Sequence, residues 1–241
     1  MLMLTYALVL ILAYILGSIP FGLLIVKITT GKDIRVIASG RTGGTNAMRA
    51  AGPIAGFSTA ILDCLKGAVA VWLAAAFVPG TIWLKVFAPM MTILGHNYSI
   101  FLTERDERGR LRLRGGAGGA PTVGGAAGIW LPSLFIVLPI GAIMLFVVGY
   151  ASLTTLSAAL TIAVIFAVRA WVLGTPWQFV LYGLIAEALA FWTLRPNIKR
   201  LIEGKERLVG LRARKKKPKS QPPVGNSTGA GSTYSSSSSS S

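Results

Sequence analysis

The segment SGRTGGTNAMR, residues 39–49, brings together the residue types that bind small anions. Its serine, threonines and asparagine offer neutral hydrogen-bonding groups, and its glycines let backbone N–H groups approach a ligand closely. Arg41 and Arg49 add guanidinium groups, whose planar donors match phosphate or carboxylate. The segment therefore predicts an anion-binding loop, although a solvated loop without a ligand has the same composition.

A second glycine-rich segment, RGGAGGAPT at residues 114–122, leads into an apolar stretch. We expect it to end at a helix N-terminus, where free backbone N–H groups and the helix dipole favour anions. Taken alone, the segment is equally compatible with a linker. Two such segments on the same side of a membrane favour the binding of phosphate groups.

A third polar segment, RPNIKR at residues 195–200, follows the last apolar stretch. Arg195, Lys199 and Arg200 are placed to anchor a helix end at the membrane interface. Asn197 could instead point back toward a ligand. The segment is therefore predicted to be an interfacial anchor with one candidate site residue.

Charged residues also lie within the apolar stretches. Asp63 and Lys66 are three positions apart and share one face of a helix. Because charges in lipid are costly and usually paired or functional, we predict a structural ion pair beside the site. Glu187 is a third such charge and could pair with Lys66. His96, the only histidine, is either a hydrogen-bonded interfacial residue or a ligand contact.

The composition predicts a polytopic membrane protein. Of the 241 residues, 53% are hydrophobic and 13% are charged, whereas soluble domains carry about 25% charged residues. The net charge of +16 comes mainly from Lys and Arg clusters beside apolar stretches, which indicates the cytoplasmic side and attraction to membrane lipids rather than nucleic acid. One cysteine and one histidine exclude a disulfide within the chain and a multi-histidine metal site, and we expect no metal or cofactor.

The apolar stretches predict an all-α protein of seven transmembrane helices, with the N-terminus outside and the C-terminus in the cytoplasm. The first helix is expected to bend near Gly17, Ser18 and Pro20. The block 122–150 must cross twice with few residues and with Pro132 and Pro139, so short or broken helices are expected there. The other spans are expected at 1–28, 53–78, 82–102, 153–172 and 176–194. All seven spans belong to a transmembrane unit, residues 1–207. Residues 208–241 are expected to form a cytoplasmic tail that is first polybasic and then serine-rich and disordered.

In order along the chain, these segments resemble the motifs of the bacterial acyl-phosphate:glycerol-3-phosphate acyltransferases. GSIPFGLL at 17–24 resembles the first helix of that family, and SGRTGGTNAMR resembles its motif SGNxGATNxxR. LDCLKG at 62–67 resembles LLDxxKG, and GHNYSIFL at 95–102 resembles GHxxPxFL. RGGAGGAPT resembles KGGKGVAT, and RPNIKRLIEGKE at 195–206 resembles RHxxNIxRLxxGxE.

This resemblance implies a multi-pass enzyme of the bacterial inner membrane that transfers a fatty acyl group from acyl-phosphate to the 1-hydroxyl of glycerol 3-phosphate. The product would be lysophosphatidic acid, made for phospholipid synthesis without a metal, and we expect a monomer. The resemblance assigns catalysis to Ser39, Arg49 and Asn197. Substrate and phosphate binding is expected of Thr45, Asn46, Gly115, Gly116 and Gly118 from the resemblance, and of Gly43, Gly44, His96 and Arg114 from the residue types of the polar segments.

The chain departs from the family motifs at positions that bear charge. Ala117 stands where the second motif has lysine, Leu194 where the last motif has histidine, and Arg41 where the first motif has asparagine. The segment Thr103–Arg112 resembles an insertion. Arg110, Arg112 and Arg114 are the candidates to compensate for the lysine. Two further functions stay open: a catalytically altered or inactive relative that binds a phosphorylated lipid precursor, and a small transporter.

Overall fold

The computed structural model describes residues 1–216 and is mainly helical. Ten helices and one two-stranded antiparallel hairpin follow in the order α1 (Leu2–Ser18), α2 (Phe21–Thr30), α3 (Gly44–Ala51), α4 (Pro53–Phe77), α5 (Ile82–Asn97), β1 (Ser99–Arg105), β2 (Leu111–Arg114), α6 (Gly119–Ile129), α7 (Ser133–Ile143), α8 (Ala151–Leu173), α9 (Gln178–Ile202) and α10 (Gly210–Lys216). A short 3₁₀ turn at Ile34–Val36 and a π-helical turn at Met144–Val148 complete the list of elements.

Four helical stretches are long and apolar enough to cross a bilayer: Leu2–Thr30, Pro53–Phe77, Ala151–Leu173 and Gln178–Ile202. They coincide with four of the predicted spans. The first is broken between Ser18 and Phe21, where the sequence predicts a bend. The block 122–150 forms two short helices, α6 and α7, separated near Pro132, as expected. The count of seven crossings stays a prediction.

Three predictions from the sequence differ from the structure. The third span ends at Asn97 rather than at residue 102, because Ser99–Arg105 pairs with Leu111–Arg114 as a hairpin, so the described part of the chain is not all-α. The last long helix continues through Pro196 to Ile202, beyond the predicted end at residue 194. The packed structure also continues past residue 207, since Leu208 forms a β-bridge with Tyr150. The predicted disorder from about residue 220 lies outside the described residues.

Helix α6 lies in the centre of the bundle because glycines let its backbone touch α4. A Cβ on Gly124 would overlap the carbonyl oxygen of Cys64, and a Cβ on Gly67 would overlap that of Pro121. Such small-residue contacts are typical of helices packed within membranes. On its other side α6 meets α9, where the buried Tyr182 hydroxyl donates to the Thr122 carbonyl over 2.7 Å. The loop before α6 is thereby held at the centre of the bundle.

A buried charge cluster joins α1, α4 and α5. Lys66 Nζ lies 2.9 Å from Asp63 Oδ1, and both side chains are 1% exposed, which confirms the predicted ion pair. Lys66 also donates to the carbonyls of Gly17 and Ile19, over 2.8 and 3.2 Å, and so satisfies acceptors freed by the break after α1. Glu187, considered above as a partner of Lys66, makes no ion pair with it.

His96 completes this cluster. Its Nδ1 lies 2.9 Å from Lys66 Nζ and 3.5 Å from Asp63 Oδ1. Because an ammonium group can only donate, Nδ1 accepts and the imidazole hydrogen is on Nε2. His96 is 5% exposed, so it belongs to the packed interior.

We predict that Lys66→Met destabilises the protein by about 3–5 kcal/mol, since it leaves the Asp63 carboxylate buried without its partner. The double variant Asp63→Leu/Lys66→Met should recover part of this loss. Thermal unfolding in detergent measures the effect, with Lys205→Met as the control: Lys205 is 73% exposed and its pair with Glu203 is 3.6 Å long, so about 0–1 kcal/mol is expected. Equal melting temperatures for Lys66→Met and Lys205→Met would contradict the structural role of the cluster.

Candidate active site

The three polar segments meet at the guanidinium group of Arg41. Its Nη1 donates to the Gly116 carbonyl over 2.9 Å. Its Nη2 donates to the Thr193 carbonyl over 2.7 Å and to Asn197 Oδ1 over 3.3 Å. Arg41 precedes α3, Gly116 precedes α6, and Thr193 and Asn197 lie on α9. One side chain therefore joins segments that are up to 156 positions apart in the sequence.

The loop that contains Arg41 is organised by Asn46. The buried Asn46 amide donates to the carbonyls of Ile34, Ile37 and Arg41 over 2.9–3.2 Å. Its Oδ1 accepts from the Ser39 backbone N–H over 3.4 Å. We therefore assign Asn46 to positioning the loop, because its amide is occupied by protein partners.

The loop between β2 and α6 is pressed against the end of α5. The Gly116 N–H donates to the His96 carbonyl over 2.8 Å, and the Thr42 N–H donates to the Gly115 carbonyl over 3.4 Å. A Cβ on Gly115 would overlap the His96 carbonyl oxygen, and a Cβ on Gly116 would overlap His96 Nε2. These glycines are needed for packing, and His96 lies behind them as their support.

The other predicted glycines lie at the starts of helices α3 and α6. Gly43 precedes α3, and a Cβ placed there would meet nothing within 4 Å. Gly118 caps the N-terminus of α6 with a φ of 85°, a conformation that glycine adopts without strain. The first N–H groups of α6 have no partners within the helix, and they follow the Gly116 carbonyl that Arg41 contacts. Gly44 instead packs against α4, with Ala60 Cβ 3.1 Å from its Cβ position.

Asn197 is held from two sides. While its Oδ1 accepts from Arg41, its Nδ2 donates to Glu206 Oε1 over 2.8 Å. The Glu206 side chain is 5% exposed and lies 3.7 Å from Arg200 Nε. The carboxylate of Glu206 thus fixes the Asn197 amide so that its oxygen faces Arg41.

Arginines make this region electropositive. Burial lowers the pKa of Arg41, and the nearby Arg200 lowers it further. Burial also lowers the pKa of Arg49, with a second contribution from Arg207, while Glu206 acts in the opposite direction. Four arginines around one carboxylate leave an excess of positive charge, which suits a phosphate dianion.

Arg49 and Arg114 differ in their availability to a ligand. Arg49 donates no hydrogen bond to another residue in the described part of the chain, 1–216. Arg114 Nε lies 2.7 Å from Glu104 Oε2, and its side chain is 47% exposed. Arg49 can therefore bind an anion directly, whereas Arg114 lies at the rim, close to Gly40, with its charge already compensated.

Two hydroxyl groups complete the predicted set. Ser39 and Thr45 are both half-buried at the start of this loop and helix. Ser39 Oγ accepts from the Arg41 backbone N–H over 3.4 Å, which leaves its hydrogen free to donate to a ligand. Both residues therefore stay candidates for contact with substrate.

The site residues assigned from the sequence did not include Asn97 and Glu206, and they left out Arg41 although it belongs to the predicted anion-binding loop. Asn97 Nδ2 donates to Thr193 Oγ1 over 3.1 Å, and its buried Oδ1 has no partner among the described residues. Asn97 follows His96 directly, and Glu206 ends the last motif, so both had a local signal. Arg41 had two signals, its guanidinium group in the glycine-rich segment 39–49 and its departure from the family motif, but neither indicated that it would join the three segments.

We predict that Gly116→Ala lowers the stability by about 1–3 kcal/mol, because the added methyl group overlaps the His96 ring. The matched control is Gly43→Ala, which adds the same group where space is open and φ is −82°. The control should change the stability by less than about 1 kcal/mol. Melting temperatures in detergent test the pair, and a tolerated Gly116→Ala would show that the loop does not pack on His96 as described.

The chain resembles one group of proteins throughout the described bundle. Residues 7–204 match a family model described as "Glycerol-3-phosphate acyltransferase". The glycerol-3-phosphate acyltransferase of Thermus thermophilus is 38% identical over 205 residues, covering 85% of this chain and 95% of that protein. Glycerol-3-phosphate acyltransferase 2 of Moorella thermoacetica is 36% identical over 210 residues, covering 86% and 100%.

Solved structures agree with the sequence relatives. The crystal structure of PlsY (YgiH), an integral membrane glycerol 3-phosphate acyltransferase, in its glycerol 3-phosphate form superposes with a TM-score of 0.73 at 28% identity, covering 88% of this chain and 99% of that one. The lysophosphatidic acid form of the same protein gives a TM-score of 0.70 at 28% identity, covering 85% and 95%.

Proposed function

The chain belongs to the glycerol-3-phosphate acyltransferase family, and we propose that it transfers a fatty acyl group from acyl-phosphate to the 1-hydroxyl of glycerol 3-phosphate, giving lysophosphatidic acid. The names of its relatives support the acceptor and the reaction class. The solved relative in its glycerol 3-phosphate and lysophosphatidic acid forms supports the acceptor and the product. These relatives favour an enzyme over the transporter alternative.

The observation that carries this proposal is the convergence of three segments at Arg41. Both proposed substrates carry phosphate, and the region around Arg41 combines an excess of arginines with the free N–H groups of a helix N-terminus. An acyl-phosphate is already activated, so positioning and charge stabilisation can supply much of the rate without a protein nucleophile.

In the proposed reaction, the 1-hydroxyl oxygen of glycerol 3-phosphate forms a bond with the acyl carbon. The bond between that carbon and the phosphate oxygen of the donor breaks, and inorganic phosphate leaves with the electron pair. A phosphate oxygen of a substrate takes the hydroxyl proton. His96 is unsuited to act as the base, because its Nδ1 is occupied by Lys66 and its ring is packed behind Gly116.

We assign direct phosphate binding to Arg49 and to the N-terminus of α6, and substrate contact to Ser39 and Thr45. Gly43 leaves open space beside this group of residues. Asn197 presents its Oδ1 next to the Arg41 guanidinium, with Glu206 holding it in place. In this assignment, Asn46, His96 and Gly116 shape the site without touching the reacting atoms.

Arg41 restores the positive charge that Ala117 and Leu194 lack relative to the family motifs. Two of its three hydrogen-bond partners are the carbonyls of Gly116 and Thr193, the residues immediately before those two positions. Arg110 and Arg112, considered from the sequence as substitutes, instead lie near Asp106 in the hairpin. An arginine has five N–H donors, so Arg41 can hold its protein partners and still offer donors to a phosphate group.

We further propose that the shorter helices α5, α6 and α7 also cross the bilayer, giving seven crossings with the N-terminus outside. The Lys and Arg clusters beside the site support a location at the cytoplasmic face. Residues 1–207 would form the catalytic unit, with Leu208 bridged to Tyr150 as its continuation, and the polybasic segment that follows would lie on the same face. We propose that this unit acts as a monomer, because all the site segments come from one chain.

The decisive experiment measures release of inorganic phosphate from a long-chain acyl-phosphate by the purified protein in detergent. Release should require glycerol 3-phosphate and should yield lysophosphatidic acid in equal amount. Release without the acceptor would contradict the proposed reaction. Binding of glycerol 3-phosphate without turnover would instead indicate a catalytically altered relative.

We predict that Arg49→Ala and Arg41→Gln each lower kcat/KM for glycerol 3-phosphate by on the order of 10²- to 10³-fold, because each removes a charged partner of a phosphate group. Arg41→Lys keeps the charge but cannot reach all three oxygen partners, so an intermediate loss is expected. Lys32→Ala, which removes an exposed charge near the same loop, is the matched control. If Lys32→Ala and Arg49→Ala lowered kcat/KM equally, the effect would come from the overall positive charge of the region and not from direct contact with phosphate.

A further inference from the structure

The β1–β2 hairpin carries two exposed leucines on one face, opposite Thr103 and Arg105. Thr103 pairs with Leu113, and Arg105 pairs with Leu111. Residues opposite each other in an antiparallel pair share one face, so both leucines lie on the same side of the hairpin. Leu111 is 67% exposed and Leu113 is 40% exposed. Adjacent exposed leucines on a membrane protein are candidates for contact with lipid at the interface.

The other face of the hairpin is fixed to the body of the protein. Glu104 Oε1 accepts from Arg35 Nη1 over 3.2 Å, and Glu104 Oε2 lies 2.7 Å from Arg114 Nε. Arg35 is in turn bound to Asp33 through several hydrogen bonds of 2.7–3.0 Å. The hairpin therefore has a defined orientation, with its leucine face turned away from these ion pairs.

The height of the hairpin along the membrane follows from the length of α5. Its 16 residues rise about 24 Å, which is less than the hydrocarbon core of about 30 Å. The first residues of β1, at about 3.3 Å each, complete the crossing. Ile100 and Phe101 in this stretch are 44% and 56% exposed, as expected for residues that face lipid. The pairs that contain Leu111 and Leu113 then lie at the level of the lipid headgroups.

The charges on the hairpin match anionic headgroups. The Asp106 carboxylate is occupied by Arg110 and by two backbone N–H groups of the turn, which lower its pKa. Arg105 and Arg108 form no ion pair within residues 1–216. Glu107 is the exposed acidic residue at the tip. Arg105 on the leucine face and Arg108 in the turn thus carry guanidinium groups without an acidic partner among residues 1–216.

We propose that this hairpin docks onto the surface of the bilayer that contains the protein, with Leu111 and Leu113 inserted between headgroups and Arg105 and Arg108 bound to phosphates of anionic lipids. This inference rests on the crossing of α5 proposed above: the hairpin continues directly from that helix, and its leucines and arginines would then lie at the depth where lipids offer both partners. This inference is independent of the reaction, since none of these four side chains belongs to the candidate active site.

The test follows a fluorescent label on a single cysteine. Cys64 is the only cysteine, so Cys64→Ala provides the background for Leu111→Cys and, as the control at the tip, Glu107→Cys. Each variant carries an environment-sensitive dye and is reconstituted into nanodiscs of phosphatidylcholine with or without phosphatidylglycerol. Quenching by headgroup-labelled lipid measures inserted label, and quenching by iodide measures label exposed to water.

With phosphatidylglycerol, the label at position 111 should be quenched by lipid and protected from iodide, while the label at 107 stays accessible. Arg105→Gln and Arg108→Gln should each lower the ratio of inserted to exposed label about fivefold in these nanodiscs, with no change in pure phosphatidylcholine. Lys205→Gln, which removes a charge elsewhere, should leave the ratio unchanged. Unchanged melting temperatures would show that the variants are folded.

Three outcomes would overturn the proposal. The labels at 111 and 107 could be equally accessible to iodide in both lipid mixtures. The arginine variants could leave insertion unchanged in phosphatidylglycerol, which would exclude binding to anionic lipid. Protection of position 111 could require an added acidic protein, which would assign the face to protein docking instead.

Discussion

The rest of the structure depends on the ion pair and the hydrogen bonds made by the buried ammonium group of Lys66. Within a bilayer, polar groups must find partners inside the protein, because water does not compensate them. Lys66 meets this requirement for the broken first helix by donating to Gly17 and Ile19, while Asp63 compensates its charge. His96, also held by Lys66, fixes the end of α5 to the same point. Three helices are thus aligned at one level of the bundle.

The alignment of these three helices positions the site through packing contacts and not through electrostatic interactions. The ring of His96 forms the surface on which Gly116 lies, and the His96 carbonyl binds the Gly116 N–H. The Gly116 carbonyl is in turn an acceptor for Arg41. A short series of contacts therefore connects the buried ion pair with the guanidinium group at which the site segments meet. Glycine is required in this series because any larger residue would separate the loop from its support.

In the proposed assignment, Arg41 supplies from a different part of the chain the positive charge that the family motifs carry at two other positions. The motifs that the chain resembles have lysine and histidine at the positions of Ala117 and Leu194, and Arg41 is the cation that we propose in their place. The guanidinium group lies beside both positions, because it is bound to the carbonyls immediately before them. The cost of burying this charge is offset by its oxygen partners. The excess of arginines over Glu206 then leaves charge available for phosphate.

The sequence by itself determined the membrane class, four long helices, the bend in the first helix and the pairing of Asp63 with Lys66, because each depends on local hydrophobicity or helical spacing. It also identified the three polar segments. Only the tertiary structure decided that Arg41 joins them, that His96 supports a loop, and that residues after Asn97 form a hairpin. Those features depend on contacts between distant positions, and neither residue type nor spacing specifies which of many polar groups will meet when the helices pack.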